Sequence, residues 1–286
     1  MPIKLSRLFS SDLLNFLITN YIPRKSLTRL VGWLSKREQP LVRSLSIAVW
    51  RLFSDLDLQE AKKTEFKSLH DCFIRELKPG ARPVDPDPGI LVSPCDAIVG
   101  DCGLIEGNML IQAKRHRYAL SELLCDPELA DYYRQGCYAT LRITASMYHR
   151  FHAPVDGAAK QVTYISGDVW NVNPATIRRV PKLYCRNERA VLRLSAAQSG
   201  RVITLVPVAA VLVASIRLHF LDVLFHLRYP GPNRIDCDVE LSKGQEMGWF
   251  QHGSTIIVFA PKGFLLHENV GNGQLIRVGQ PLMRSP

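Results

Sequence analysis

A serine that follows a glycine, two histidines three residues apart and a turn aspartate are the groups in this chain best equipped to break a covalent bond. The serine is Ser254, in Gln251-His252-Gly253-Ser254-Thr255, directly ahead of the apolar run Ile256-Ile257-Val258-Phe259. A serine hydroxyl can attack the carbonyl carbon of the residue before it, replacing the amide with an ester. Removal of the serine α-proton then expels the upstream chain as a carboxylate and leaves dehydroalanine. Tautomerisation and hydrolytic loss of ammonia give a pyruvoyl group at a new N-terminus. Gly253 suits the first step, because it leaves its carbonyl unshielded and tolerates the backbone angles of a strained bond. Taken alone, Gly-Ser-Thr is an ordinary turn feeding a strand.

The hydroxyl needs a base. His149 and His152 lie in Met147-Tyr148-His149-Arg150-Phe151-His152-Ala153-Pro154-Val155-Asp156-Gly157, and histidine is the side chain best matched to proton transfer near neutral pH. Two histidines at this spacing also invite a metal reading. No further ligand set accompanies them and Pro154 stops a continuing helix, so no metal is expected. Asp96, in Leu91-Val92-Ser93-Pro94-Cys95-Asp96-Ala97, is by itself a turn residue. As a third group orienting a histidine it would complete a triad.

These residues need a scaffold. Beyond about residue 66 the chain alternates short β-rich runs with Gly, Pro, Asn and Asp turns, the pattern of a barrel or sandwich. Ile90–Val92, Met109–Gln112, Cys137–Ile143, Gln161–Tyr164, Val202–Leu205, Val211–Ile216 and Thr255–Phe259 read as strands. One helix is expected near Ala119–Leu129 and a short one over Phe66–Leu77. Ahead of these, Leu27, Leu30, Val31 and Leu34 repeat at helical spacing, as do Leu45, Val49, Leu52 and Phe53. A broader apolar cover surrounds Leu13–Ile18. The fold class expected is therefore α+β, with N-terminal amphipathic helices over residues 1–66 and a β-rich barrel or sandwich over 67–286.

Charge is unevenly spread. The chain of 286 residues carries a net charge of +10, which points to an anionic partner. Over residues 1–51, nine basic side chains stand against Asp12 and Glu38 alone. Trp33, Trp50 and Tyr21 lie among them, a mixture suited to a headgroup interface. Nucleic acid is disfavoured, since the basic residues share helices with apolar faces and no stacking platform is apparent. The longest apolar stretch, Val202–Ile216, is shorter than the roughly 20 residues of a spanning helix and contains Pro207. Seven scattered cysteines without Cys-x-x-Cys argue against a disulfide framework or a zinc site, so a reducing compartment is expected. No signal peptide is evident.

Several stretches, in order, resemble one family. They are Phe73-Ile74-Arg75-Glu76-Leu77-Lys78-Pro79-Gly80 with Arg82-Pro83, Ser93-Pro94-Cys95-Asp96, Gln112-Ala113-Lys114, Tyr148-His149-Arg150-Phe151-His152-Ala153-Pro154, and Gly244-Gln245-Glu246-Met247-Gly248 leading into Gly253-Ser254-Thr255. Over nearly its whole length the chain resembles phosphatidylserine decarboxylase of the bacterial, membrane-associated type. The resemblance implies a pyruvoyl-dependent carboxy-lyase. Asp96, His152 and Ser254 match the triad for self-cleavage at Gly253-Ser254. Ser254 becomes the covalent pyruvoyl group that forms a Schiff base with phosphatidylserine, and His149 matches the residue that moves a proton during decarboxylation. Carbon dioxide and phosphatidylethanolamine are the products. The family implies a large chain of 1–253 and a small one of 254–286, associated without a covalent bond and open to further self-association. It also implies peripheral attachment to an anionic membrane surface, on the cytoplasmic face of a bacterial cell membrane.

Two positions depart from the family pattern. His252 stands where leucine usually precedes Gly-Ser-Thr, and Ala97 where glycine commonly follows the aspartate. Neither removes a reacting atom. Two other readings are an uncleaved, lipid-binding member of the family and a carrier domain. The latter rests on Arg277-Val278-Gly279-Gln280-Pro281-Leu282, which looks like the closing strand of biotin or lipoyl carriers, but no modifiable lysine at a hairpin tip accompanies it.

Overall fold

The run Ile256-Ile257-Val258-Phe259 is apolar at every position because the strand that carries it is covered on both faces. The computed structural model describes residues 23–107, 109–113, 116–211, 215–226, 229–251 and 254–286. Among them are the helices α1 (Arg24–Ser35), α2 (Pro40–Phe53), α3 (Leu69–Phe73), α4 (Leu120–Leu124), α5 (Pro127–Tyr132), α6 (Pro174–Ile177) and α7 (Leu183–Arg186). The strands are β1 (Ile90–Val92), β2 (Ala97–Leu104), β3 (Met109–Ala113), β4 (His116–Ala119), β5 (Cys137–Ile143), β6 (Arg150–His152), β7 (Gly157–Ile165), β8 (Arg189–Ala196) and β9 (Val202–Val208). They continue with β10 (Ser215–Leu218), β11 (Val223–His226), β12 (Arg234–Leu241), β13 (Glu246–Phe250), β14 (Ser254–Ala260), β15 (Leu265–Leu266), β16 (Leu275–Ile276) and β17 (Pro281–Arg284).

Eight strands form the main sheet, in the order β12-β7-β8-β9-β14-β5-β2-β16, with β14 near its centre. Smaller sheets, β11-β10-β13-β6 and β1-β17-β15, lie with it, and β3 pairs with β4 as a hairpin. Side chains alternate across the main sheet, as the pleat requires. Ile256 and Val258 of β14 join Leu141 of β5 and Phe151 and Phe250 of the smaller sheet in one core. Ile257 and Phe259 face the other way, into a second core with Leu120, Leu123 and Leu183 of the short helices. Each such side chain contributes roughly 1.5–3 kcal/mol by leaving water. The architecture is a β-rich α+β fold of sandwich-like sheets, and among the described residues no sheet closes into a barrel.

The N-terminal periodicity becomes α1 and α2, while the first apolar stretch, around Leu13–Ile18, lies outside the described residues. Ile47 and Trp50 of α2 pack on a small core of Ala61, Phe66 and Cys72. The opposite face of these helices is open, with Leu41 86% and Leu52 71% exposed. No described helix is long and apolar enough to cross a membrane.

Three elements differ in extent from the sequence expectation. The helix over Phe66–Leu77 shortens to α3, capped by Ser68, whose Oγ accepts from the Asp71 amide at 3.1 Å. The Arg75 side chain is buried and donates to the Ser146 carbonyl at 2.8 Å. The helix near Ala119–Leu129 divides into α4 and α5, because Cys125 turns left-handed at φ 52° and Asp126 caps a new start at Pro127. The apolar stretch Val202–Ile216 gives two strands of different sheets, β9 in the main sheet and β10 in the smaller one.

Gly248 in β13 lies against the neighbouring backbone, and a Cβ there would sit 1.9 Å from the Arg217 carbonyl oxygen. Gly248→Ala should therefore lower stability by about 1–3 kcal/mol, as overpacking does. Gly32→Ala in α1, with nothing within 4 Å of its added Cβ, should instead stabilise by up to about 1 kcal/mol. Urea titration of both variants tests the contrast.

Candidate active site

Two neighbouring crossings carry the chain between the main and the smaller sheet. One runs from β5 through residues 144–149 into β6, and the other from β13 through residues 251–253 into β14. The strand ends that flank them are neighbours, because β5 pairs with β14 in one sheet and β6 with β13 in the other. Ser254, the first residue of β14, stands opposite Ile143, the last of β5. His149 closes the β5–β6 crossing, where its carbonyl accepts from the Phe250 amide at 3.0 Å. Antiparallel pairing thus brings together residues about a hundred positions apart in sequence.

Ser254 is fully buried, and its Oγ has no hydrogen-bond partner among the described residues. Burying a hydroxyl in that state costs about 1–3 kcal/mol. Such a cost is expected at a group kept for reaction rather than for structure. His252 and Gly253, the rest of the expected cleavage site, lie outside the described residues, as does Lys114.

His149 is buried, with the Phe73 ring of α3 3.9 Å from its own, centroid to centroid. Its Nδ1 lies 2.8 Å from the Met147 carbonyl oxygen. A carbonyl only accepts, so Nδ1 carries the proton and Nε2 the lone pair. His152 is fixed in the same tautomer, with Nδ1 2.9 Å from the Gly244 carbonyl and Nε2 3.1 Å from the Tyr148 hydroxyl. Both histidines therefore have the form that can take up a proton at Nε2.

Asp96 is placed differently from the triad expectation. Its carboxylate receives Arg82 through Nε at 2.9 Å and Nη2 at 2.5 Å, and the Val278 amide at 2.9 Å. Arg82 also bridges to Glu60 at 2.9 Å, which holds the Glu60 carboxyl below its usual range. The group orienting His152 is the Gly244 main-chain carbonyl. No hydrogen bond links Asp96, His152 and Ser254 among the described residues; burial lowers the His152 pKa, and the Gly244 carbonyl, Glu246 and Asp96 offset this only in part. His152 and Arg82, the partner of Asp96, line one polar pocket of about 250 Å³ with Glu76, Lys78, Tyr148 and Glu246. The role of Arg82, Tyr148 and the Gly244 carbonyl was not legible in the sequence. Their stretches were, but a main-chain acceptor leaves no mark on residue type.

A second, larger cavity of about 740 Å³ lies at the ends of β5 and β9. Val31, Leu34, Leu45 and Val49 of α1 and α2 wall one side, and Phe73, Arg142, Ile143 and Val211 the other. It reaches Ile143, the strand partner of Ser254, and Phe73, which lies on His149.

The cavity wall is mainly apolar, and it borders the strand partner of Ser254 and the ring that lies on His149. Residues 69–284 match the family described as phosphatidylserine decarboxylase. The chain is 38% identical over 277 residues to the phosphatidylserine decarboxylase proenzyme of Vibrio parahaemolyticus, covering 91% of this chain and 95% of that protein. Against the proenzymes of Erwinia tasmaniensis and Escherichia coli, identity is 35% over 280 and 274 residues. Those matches cover 93% and 91% of this chain and 92% and 84% of the relatives. The chain belongs to the phosphatidylserine decarboxylase family.

Burial lowers the pKa of His152, and takes that of His70 on α3 down to about 4 from 6.5, with Lys36 adding to the effect. For both groups the unfolded chain binds protons first as pH falls. Stability should therefore drop as pH decreases from about 6.5, and for His70 the loss should be complete near pH 4. His70 also touches Trp249, with ring centroids 5.5 Å apart. His70→Phe should keep that contact and remove about 2 kcal/mol of the acid-side loss. Urea midpoints of wild type and variant between pH 7 and pH 4.5 measure it.

Proposed function

We propose that this chain is the proenzyme of a pyruvoyl-dependent phosphatidylserine decarboxylase, cut between Gly253 and Ser254. The observation that carries the reading is the buried Ser254 hydroxyl at the head of β14, unpartnered among the described residues, in a chain of this family. Its Oγ attacks the Gly253 carbonyl, and the upstream chain leaves as a carboxylate. His152 is the assigned base, with its Nε2 lone pair held by the Gly244 and Tyr148 contacts. Asp96 supports it through charge, with Arg82 fixing the carboxylate. Residue 254, fully buried beside the cavity, suits a small carbonyl group, and a pyruvoyl group there supplies an electron sink to the carbon that loses carbon dioxide. His149, buried under Phe73, is assigned the proton that replaces the lost carboxylate.

The reading also accounts for how the products would stay together. After a cut before Ser254, the small chain would still hold β14 between β9 and β5, and β17 between β1 and β15. Its Val278 amide would remain on Asp96 of the large chain. Association then rests on intact ladders and needs no covalent link.

The substrate is assigned as phosphatidylserine, with its tails in the larger cavity. Residues 1–66 are assigned as the membrane-associating segment and 67–286 as the catalytic domain. Trp33, Leu41 and Leu52 are exposed beside Arg29, Lys36 and Arg51, and Arg37 lies 3.7 Å from the Trp33 ring centroid. Apolar and basic groups interleaved in this way suit an anionic lipid surface, where each basic residue contributes about 1 kcal/mol. The location that follows is peripheral, on the cytoplasmic membrane face.

Intact-mass spectra of wild type and Ser254→Ala test the chemistry. Wild type should give a blocked small chain starting at residue 254 and release carbon dioxide from phosphatidylserine, and Ser254→Ala should do neither. One uncut species in both would make the chain a lipid-binding, non-catalytic member of the family. Flotation with anionic vesicles tests the surface. Trp33→Glu with Leu41→Glu should cut binding at least about 10-fold, and unchanged binding would remove these helices from the interface.

A further inference from the structure

Arg142 is a cation without an anion. It occupies the sixth position of β5, a strand whose other residues are all buried, and its side chain lines the larger cavity. Among the described residues it has neither a hydrogen bond nor an ion pair, whereas Arg75, Arg82, Arg150 and Arg189 each satisfy theirs with carbonyls or carboxylates. Burial lowers its pKa, and the Tyr184 phenol offsets this only in part. A guanidinium half-buried at a mainly apolar wall, without a counter-charge among the described residues, is less favourable than a fully solvated one. Its retention at the wall of a cavity points to an anion that arrives with a ligand.

Register gives the distance. Arg142 pairs with Thr255, as Ile143 pairs with Ser254, so Arg142 lies one rung from the reacting residue, with its side chain on the opposite face of the sheet. Paired Cα atoms are about 5 Å apart. In a serine phospholipid the amine and the phosphorus are separated by four bonds, about 5 Å when extended. Because β5 ends at Ile143 and one cavity is lined by both Arg142 and Ile143, a headgroup lying across the strand end can present its phosphodiester to Arg142 while its amine turns to residue 254. The tails continue from the phosphate, and the apolar wall of α1 and α2 faces Arg142 across the cavity.

We propose that Arg142 binds the phosphodiester of the lipid headgroup and so places the amine at residue 254. This deepens the decarboxylase reading and rests on it. The carboxylate is the less suitable anion. An ion pair to the group that must leave would stabilise the ground state more than the transition state, in which the charge passes to carbon. A guanidinium fork matches phosphate oxygens in pairs, which a lysine ammonium does not.

The test uses processed holoenzyme of wild type, Arg142→Gln and Arg142→Lys, with dihexanoylphosphatidylserine as substrate. Intact mass should show the same small chain in all three. Arg142→Gln should raise KM about 10- to 100-fold with kcat within a few-fold, and Arg142→Lys should fall between. Dihexanoylphosphatidic acid, which has the phosphate without amine or carboxylate, should bind wild type by calorimetry and bind Arg142→Gln at least 10-fold more weakly. Dihexanoylglycerol should not distinguish the two. An unchanged KM, or equal binding of phosphatidic acid to both proteins, would overturn the proposal. A raised KM with unchanged phosphatidic acid binding would also overturn it, in favour of carboxylate recognition. If Arg142→Gln fails to fold, wild type binding the phosphatidic acid no better than the glycerol overturns it on its own, and Arg142→Lys supplies the comparison. Wild type that binds phosphatidic acid but releases no carbon dioxide would remove the decarboxylase reading and leave the anion site standing.

Discussion

The paired crossing of β5–β6 and β13–β14 between two sheets is the constraint on which the site depends. One pair of strands cannot leave the main sheet and re-pair in the smaller one unless both bend at the same level. Ser254 is the first residue after one bend and His149 the last before the other strand begins. The ladders on either side, Ser254 opposite Ile143 and Trp249 opposite Arg150, fix both residues from both directions. Neither can shift by one residue without turning buried side chains of β14 to the wrong core.

Electrostatics is organised around the same place. Arg82 joins Asp96 and Glu60, and Arg150 joins Glu246, to which His219 also binds at 2.7 Å. Arg82 and Asp96 are 11% and 9% exposed in their side chains, and removing one partner of so buried a pair typically costs about 3–5 kcal/mol. With its oxygens taken by Arg82 and the Val278 amide, Asp96 makes no direct bond to His152 among the described residues. That arrangement ties the turn between β1 and β2 to the C-terminal segment.

The N-terminal helices have two dissimilar faces. Trp50 lies 5.4 Å from Phe73, which in turn lies on His149, so α2 reaches the site through two aromatic contacts. The outer face of α1 and α2 is apolar and basic and touches nothing described. Lipid entering from that face would meet the larger cavity first, then Arg142 and residue 254.

The sequence determined much of this by itself. Local spacing sufficed for α1, α2 and strands such as β1, β3, β5, β7, β9 and β14, because amphipathic period and turn residues act over a few positions. Ser254, His149, His152 and Asp96 were recognisable by type and by the stretches around them. What only the tertiary structure decided is which groups meet. Gly244, not Asp96, receives His152 Nδ1, because the turn between β12 and β13 presents a carbonyl there and Arg82 already occupies the aspartate. The division of Val202–Ile216 between two sheets depends on long-range pairing that apolar composition does not encode. Arg142 reads in sequence as one charge at the end of an apolar strand. Its isolation appears only when the cavity walls are assembled from segments far apart in the chain.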